Sequence, residues 1–270
     1  MVEISGKYKI GTRRFGSINW IGAWTLYKKE VLRFLIVWIQ TLFSPLITSL
    51  LFLSVLSLAI GNDRGDVLGV PFIVFLAPGL IAMQIIQQAF SHSSSSFMIG
   101  KIQGNIVDLV YAPLSAGEVT LAITFASVTR SVLIAIISLL VFYLFIDLEI
   151  KNFTTLIAFT FLSAFSLGAL GIIAGLWAEK FDHMATVTNF IIIPLSFLSG
   201  TFYSIERLPE VLQIISKANP FFYMIDGFRY SFLGQSDGSI LFGLVYLSIV
   251  SLLIWFVAYI LYKKGYKIKS

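Results

Sequence analysis

The 270-residue chain has no cysteine, only two histidines and only 12 % charged residues. Without cysteine there are no disulfides or thiolate metal sites, and the redox compartment cannot be read. The two histidines, His92 and His183, stand in separate segments and do not resemble a metal site. The low charge excludes an ordinary soluble domain, in which about a quarter of residues are charged. Catalytic signatures are missing as well. There is no G-x-x-x-x-G-K-[ST] loop to cradle a nucleotide phosphate, no HExxH and no GxSxG. No selectivity-filter sequence or internal repeat stands out. Acidic residues are absent from the apolar runs apart from Glu118, which stands at a helix start, so a proton relay is disfavoured.

What is present is apolar, at 57 % of residues. A globule of this size could not hide that much surface from water, so the bilayer is the expected solvent. A hydrocarbon core about 30 Å thick needs roughly 20 residues of apolar helix. Segments 34–60, 72–90, 119–146, 154–178 and 241–262 meet that length, and 184–198 stands near its lower limit. Segment 220–233 is too short to cross and carries Asp226 and Arg229, so it reads as re-entrant or interfacial. The expected fold class is an all-α integral membrane protein of six transmembrane helices. Residues 1–33 form a cytoplasmic tail and an interfacial amphipathic helix, 34–262 the six-helix domain with its re-entrant outer segment, and 263–270 a basic tail.

The charges orient this topology. Six spans place both termini on one side, with Lys7, Lys9, Arg13, Arg14, Lys28, Lys29, Arg33, Lys101, Lys180, Lys263, Lys264, Lys267 and Lys269. The opposite side has Arg64, Lys151, Arg207, Lys217 and Arg229. The positive-inside rule then puts both termini in the cytoplasm. The basic tail lacks a fold that reads bases, so no nucleic-acid partner is expected. The first apolar run is too long, and begins too late, for a signal peptide.

Several segments are more than simple spans. In 17–33, Trp20, Trp24, Tyr27 and Val31 recur at helical spacing while Lys28, Lys29, Glu30 and Arg33 take other angles, the pattern of a helix lying in the interface. It serves either as a membrane anchor or as a docking surface. Gln84, Gln87, Gln88 and Ser91 share one face of the second span beyond a Pro78-Gly79 kink, with His92 and Ser93–Ser96 carrying that face into the cytoplasm. They line either a helix–helix contact or a wet vestibule. In the loop 97–114, Ile102, Ile106, Leu109 and Val110 form the apolar face of a short helix stopped by Pro113, and Ser115 with Glu118 makes a capping box. Arg130 falls deep in the third span and faces either protein or water, unless it snorkels to the surface. Gly171 and Gly175 make a GxxxG, read as simple packing. In the fifth span Asn189 and Ser196 fall roughly on one side, followed by an aromatic outer loop with Phe202 and a short amphipathic helix ended by Asn219-Pro220.

An ordered set of segments resembles the permeases of bacterial ABC exporters of the second type. These are Trp38-Ile-Gln40-Thr41-Leu-Phe-Ser-Pro45, Pro78-Gly79-Leu80, Asn105–Pro113, Pro194–Tyr203 with Leu208-Pro209, and Asn219-Pro220 through Asp226, Arg229 and Tyr230. The nodulation-type lipo-oligosaccharide and multidrug-exporter permeases are the most similar subset, and polysaccharide-export permeases are more distant. The resemblance implies a half-transporter in a bacterial inner membrane. It pairs with a second permease copy, expected to be identical, within membrane lipid, and two separate cytoplasmic ABC ATPase subunits bind below. The chain itself would hold no cofactor, and ATP and Mg would sit on the ATPase. ATPase contacts carry over to Trp20, Trp24, Lys28 and Arg33 and to Asn105, Ile106, Asp108, Leu109 and Val110. The pathway carries over to Gln40, Ser44, Gln84, Gln87, Asn189, Ser196 and Phe202. Arg130, Asn219, Pro220, Asp226 and Arg229 are structural. The expected function is outward movement of an amphipathic, lipid-linked or drug-like molecule, with no catalytic residue in this chain. The alternatives are an ATP-independent channel or facilitator, or export of polysaccharide or lipid-linked glycan.

Overall fold

The computed structural model describes residues 18–268, apart from the side chains of 60–64. Lys7, Lys9, Arg13, Arg14, Ser17 and Lys269, together with the side chain of Arg64, lie outside the described residues. Those residues are helical, the sole extended pairing among them being the isolated bridge between Val67 and Val70. Six helices are long and apolar enough to cross a membrane.

Helix α1 (Trp20–Ile36) is capped by Asn19, whose side chain accepts from the Gly22 N–H. A π-helical turn (Ile39–Phe43) leads into α2 (Ser44–Arg64), and α3 (Phe72–Ile102) follows. The short α4 (Ile106–Tyr111) precedes α5 (Ala116–Tyr143), which opens with the expected capping box of Ser115 and Glu118. Next come α6 (Phe153–Trp177) and the composite fifth span, made of α7 (Phe181–Val187), a π-helical turn (Thr188–Ile192) and α8 (Ile193–Leu198). A 3₁₀ turn (Ile205–Arg207), the amphipathic α9 (Glu210–Ala218), α10 (Pro220–Leu233) and α11 (Ile240–Lys263) complete the chain.

Two boundaries differ from expectation. Helix α3 continues without a break to Ile102 rather than ending near Phe90, so His92, Ser93 and Ser94 are buried instead of passing into a loop. Helix α1 runs on to Ile36 and absorbs the start of the first apolar run.

Helices α3 and α6 form the centre, with α5, α10 and α11 packed around them. Helix α10 is buried along most of its length against α6, α3 and α11. The first, fifth and last spans are each only 17 % buried, against 72 % of α3; the last packs along α6 and α10, whereas the first and fifth touch the rest more sparingly and are peripheral. The GxxxG explains why α3 stays ordered past Phe90. A Cβ on Gly171 would stand 2.5 Å from the Phe90 carbonyl oxygen, and one on Gly175 would stand 2.8 Å from that of Ser94. Lipid supplies no hydrophobic drive between helices, so close backbone contact through small residues holds the pair. We predict that Gly171→Leu lowers folded yield and thermal midpoint in detergent, with a cost above the ~1–3 kcal/mol usual for overpacking. Ile157→Leu, on an exposed face of the same helix, should leave both unchanged.

Candidate transport pathway and coupling surface

The junction of α1 with α5 is built on one carboxylate. Glu118 Oε2 accepts from the Ser115 N–H at 2.6 Å and Oε1 from the Asn19 N–H at 2.6 Å. A single side chain therefore caps α5 and fastens the start of α1 to it. Asn19 adds a bond to the Pro113 carbonyl, and the Tyr27 hydroxyl meets Thr129 at 2.8 Å. Along α1, Leu26, Glu30 and Phe34 turn inward, while Trp20, Trp24 and Lys28 are exposed.

Arg33 is a correction to the expected partner-facing set. Its Nε donates to Glu30 at 2.9 Å, one terminal nitrogen to the His92 carbonyl and the other to the Ser95 hydroxyl. It ties α1 to α3, because a guanidinium at an apolar boundary needs its donors filled. Deeper in the same region Arg130 is buried and donates to the Gln88 side chain, so it faces protein rather than snorkelling.

At the far end of the bundle, Arg229 and Asp226 organise a cap. Arg229 is 1 % exposed, lies over the Phe75 ring at 3.9 Å and donates to the Gly200 and Thr201 carbonyls at 2.6 and 3.3 Å. Gly79 of the Pro78-Gly79 pair makes room for this contact, since a Cβ there would stand 2.5 Å from the Thr201 oxygen. The Asp226 carboxylate accepts from the Asp237 and Gly238 N–H groups, both at 3.0 Å, and Asp237 accepts from Ser204 and Ile205. Asn219 caps α10 through Phe221 N–H and donates to Ser199 and to the Leu195 carbonyl, with Pro220 in the first turn. Arg229, counted above with the charges of the side opposite the termini and expected to be structural, is an interior residue.

Helix α4 sits at the turn between α3 and α5. Ile106 is buried against Leu26, Phe97 and Val119, and Leu109 is half-buried beside it. Ile106 is therefore a core anchor of its own chain rather than a partner contact. An apolar side chain next to the α1 face gains more from that contact than from water. Val107, Val110 and Tyr111 are exposed, as are Asn105 and Asp108. Lys101, at the end of α3, donates to the Leu176 and Ala178 carbonyls and closes the end of α6. Lys267 meets Glu179 at 2.7 Å, and that hydrogen bond holds the Glu179 carboxyl below its usual range.

The expected pathway residues separate. Gln40, Ser44 and Asn189 are exposed and Gln87 is half-buried. Phe202 stands 6.1 Å from the Phe52 ring of α2 and 5.2 Å from the Phe197 ring of α8, which joins the first and fifth spans at their outer ends. Gln84 is buried, and Ser196 is buried with its hydroxyl on the Ile192 carbonyl, the local bond a hydroxyl makes where no water reaches it. Both are interior residues in this structure. Sequence reasoning missed the Glu30–His92 approach, at 3.8 Å, and the reach of Glu118 to Asn19. An acid on the polar side of an amphipathic helix looks solvated. The only signal for the second contact was an Asn directly before a helix start.

A profile of the ABC-2 type transporter family matches residues 22–233, from inside α1 to the last residue of α10. The chain belongs to the ABC-2 type transporter family. The Inner membrane transport permease YadH of Escherichia coli (strain K12) is 32 % identical over 255 residues, which cover 94 % of this chain and 99 % of that protein. Nodulation protein J of Rhizobium leguminosarum bv. viciae is 26 % identical over 233 residues, 84 % of this chain and 86 % of its own. Nodulation protein J of Neorhizobium galegae is 24 % identical over 225 residues, 82 % and 83 % of the two chains. ABC-2 permeases are membrane transport subunits and not enzymes. With its six apolar helices the chain is a multi-pass inner membrane protein.

The cap around Arg229 and Asp226 supplies a test of this geometry. Asp226→Ala removes the acceptor of two backbone N–H groups and should cost on the order of 2–3 kcal/mol. Thermal midpoint in detergent should fall, while Lys217→Ala, on the exposed face of α9, should leave it in place.

Proposed function

We propose that this ABC-2 permease is the membrane subunit of an ATP-driven exporter, moving an amphipathic, lipid-linked or drug-like molecule outward with both of its termini in the cytoplasm. Two copies of a separate cytoplasmic ABC ATPase hold ATP and Mg, and a second, identical permease completes the complex. The observation that carries the reading is α4, a short helix at the turn between α3 and α5 with Val107, Val110 and Tyr111 exposed, in a transporter chain that has no nucleotide loop of its own. An apolar helix face of this kind seats in a groove on a partner. Kinship with Nodulation protein J supports a lipo-oligosaccharide-like cargo, and kinship with the YadH permease supports transport more generally.

The mechanism follows from how the helices are tied. ATPase closure pushes α4 and the exposed side of α1, including Trp20, Trp24 and Lys28. Glu118 and Arg33 pass that push to α5 and α3. The first and fifth spans are lightly held, and each has a π-helical turn just before a proline, at Gln40 ahead of Pro45 and at Asn189 ahead of Pro194. Such turns weaken the helix ladder and serve as hinges. Gln40, Ser44, Gln87, Asn189 and Phe202 then line a path that opens to alternate sides.

Val110→Asp puts a charge on the docking face without touching the core. It should reduce co-purification with the ATPase about tenfold or more and abolish ATP-dependent efflux from vesicles, with membrane insertion unchanged. A Val110→Asp protein that binds and transports normally removes the coupling assignment. Export without any ATPase favours the channel alternative instead. Separately, Gln87→Leu and Asn189→Leu should change substrate-stimulated ATPase activity while leaving ATPase binding intact. Normal transport by both would make these residues packing groups only.

A further inference from the structure

The junction of α1, α3 and α5 holds two guanidiniums and one carboxylate away from water. Glu30 pairs with Arg33 at 2.9 Å, and that pair balances itself. Arg130 is not balanced. It is 8 % exposed, its side-chain partner is the neutral amide of Gln88, and its Nε has no hydrogen-bond partner. Among the described residues no carboxylate lies within 4.0 Å of it. The imidazole of His92 is fully buried beside Glu30, at 3.8 Å, with both ring nitrogens lacking hydrogen bonds. An unbalanced cation in an apolar solvent draws a counter-ion, because low dielectric strengthens the attraction and no water competes for it.

The cluster is open on one side. The Arg33 side chain is 26 % exposed, Gln88 and Ser95 are half-buried, and Ser91 is exposed. Gln88, Ser91 and Ser95 fall at i, i+3 and i+7 on α3, so neutral donors line the strip that leads to Arg130.

We propose that this junction binds the phosphate of an anionic phospholipid. Arg130 and Arg33 supply the charge, and the Gln88 amide N–H and the Ser91 hydroxyl supply neutral hydrogen bonds. Arg33 stays paired with Glu30, so the site has one positive charge in excess, which matches the single negative charge of a phosphodiester. The lipid bridges the two helices that carry motion away from α1. The inference goes beyond the transport reading and is read on the full-length permease without its ATPase, so either one can fail alone.

The experiment is native mass spectrometry and thermal melting of the full chain in mild detergent with phosphatidylglycerol, phosphatidylcholine or inorganic phosphate. The wild type should retain phosphatidylglycerol about tenfold better than phosphatidylcholine, the ratio expected for one charged hydrogen-bonding group. Its midpoint should rise with phosphatidylglycerol alone. Arg130→Gln keeps the hydrogen-bond donors and removes the charge, so the preference should vanish while the midpoint in phosphatidylcholine holds or rises. Arg130→Lys should keep part of the preference. The proposal falls if the wild type holds both lipids equally, if Arg130→Gln retains phosphatidylglycerol as the wild type does, or if inorganic phosphate gives the same shift and so marks a free-anion site. The wild-type comparison decides the matter even if Arg130→Gln does not fold.

Discussion

The contact between α3 and α6 is the one on which the other helices depend. The two run so close that backbone meets backbone at Gly171 and Gly175, a distance that no side chain larger than hydrogen allows. In lipid, where burying an apolar side chain gains little, such packing is what holds helices together. Helices α5, α10 and α11 then pack around this pair, and α2 leans on α3 from outside. The length of α3 follows from the same contact, since α6 covers it well past the point where its own composition turns polar.

A second constraint acts on top of this. Every polar group carried into the bundle needs a partner, because an unpaired one costs several kcal/mol in hydrocarbon. The chain meets this requirement chiefly at helix ends, where free backbone groups already seek partners. Glu118 serves two N-termini, Lys101 serves the carbonyls that end α6, and Arg229 serves those at the end of the fifth span. These bonds fasten α1, α3, α5 and α10 into one body. They hold the fifth span only at its Gly200 end and do not reach the first span, and these two are the spans with π-helical turns. A densely bonded centre is thereby set apart from two more lightly packed spans.

Much of this was legible in the chain. Six apolar helices, the capping box at Ser115, the short helix ending before Pro113, the α10 segment too short to cross, and the family resemblance all follow from local pattern. Exposure was less legible. Glu30 and Arg33 lie on the polar side of an amphipathic pattern, yet they point into the protein because α3 offers His92 and Ser95 there. Ile106 and Val110 belong to one apolar face of α4, yet one is core and the other surface. Gln84, Gln87 and Gln88 share a stripe, yet Gln84 is buried, Gln87 is half-exposed and Gln88 pairs with Arg130.

The sequence by itself determined that the bilayer is the solvent, how many times the chain is long enough to cross it, and the caps of several helices, because these depend on composition and on neighbours a few residues apart. Tertiary structure alone decided which polar side chain meets which partner. Asn19 and Glu118 are 99 residues apart, and Arg130 and Gln88 are 42 apart. In a low-dielectric interior the partner of a charge is set by which helices lie side by side, and periodicity along one helix has no information about its neighbour.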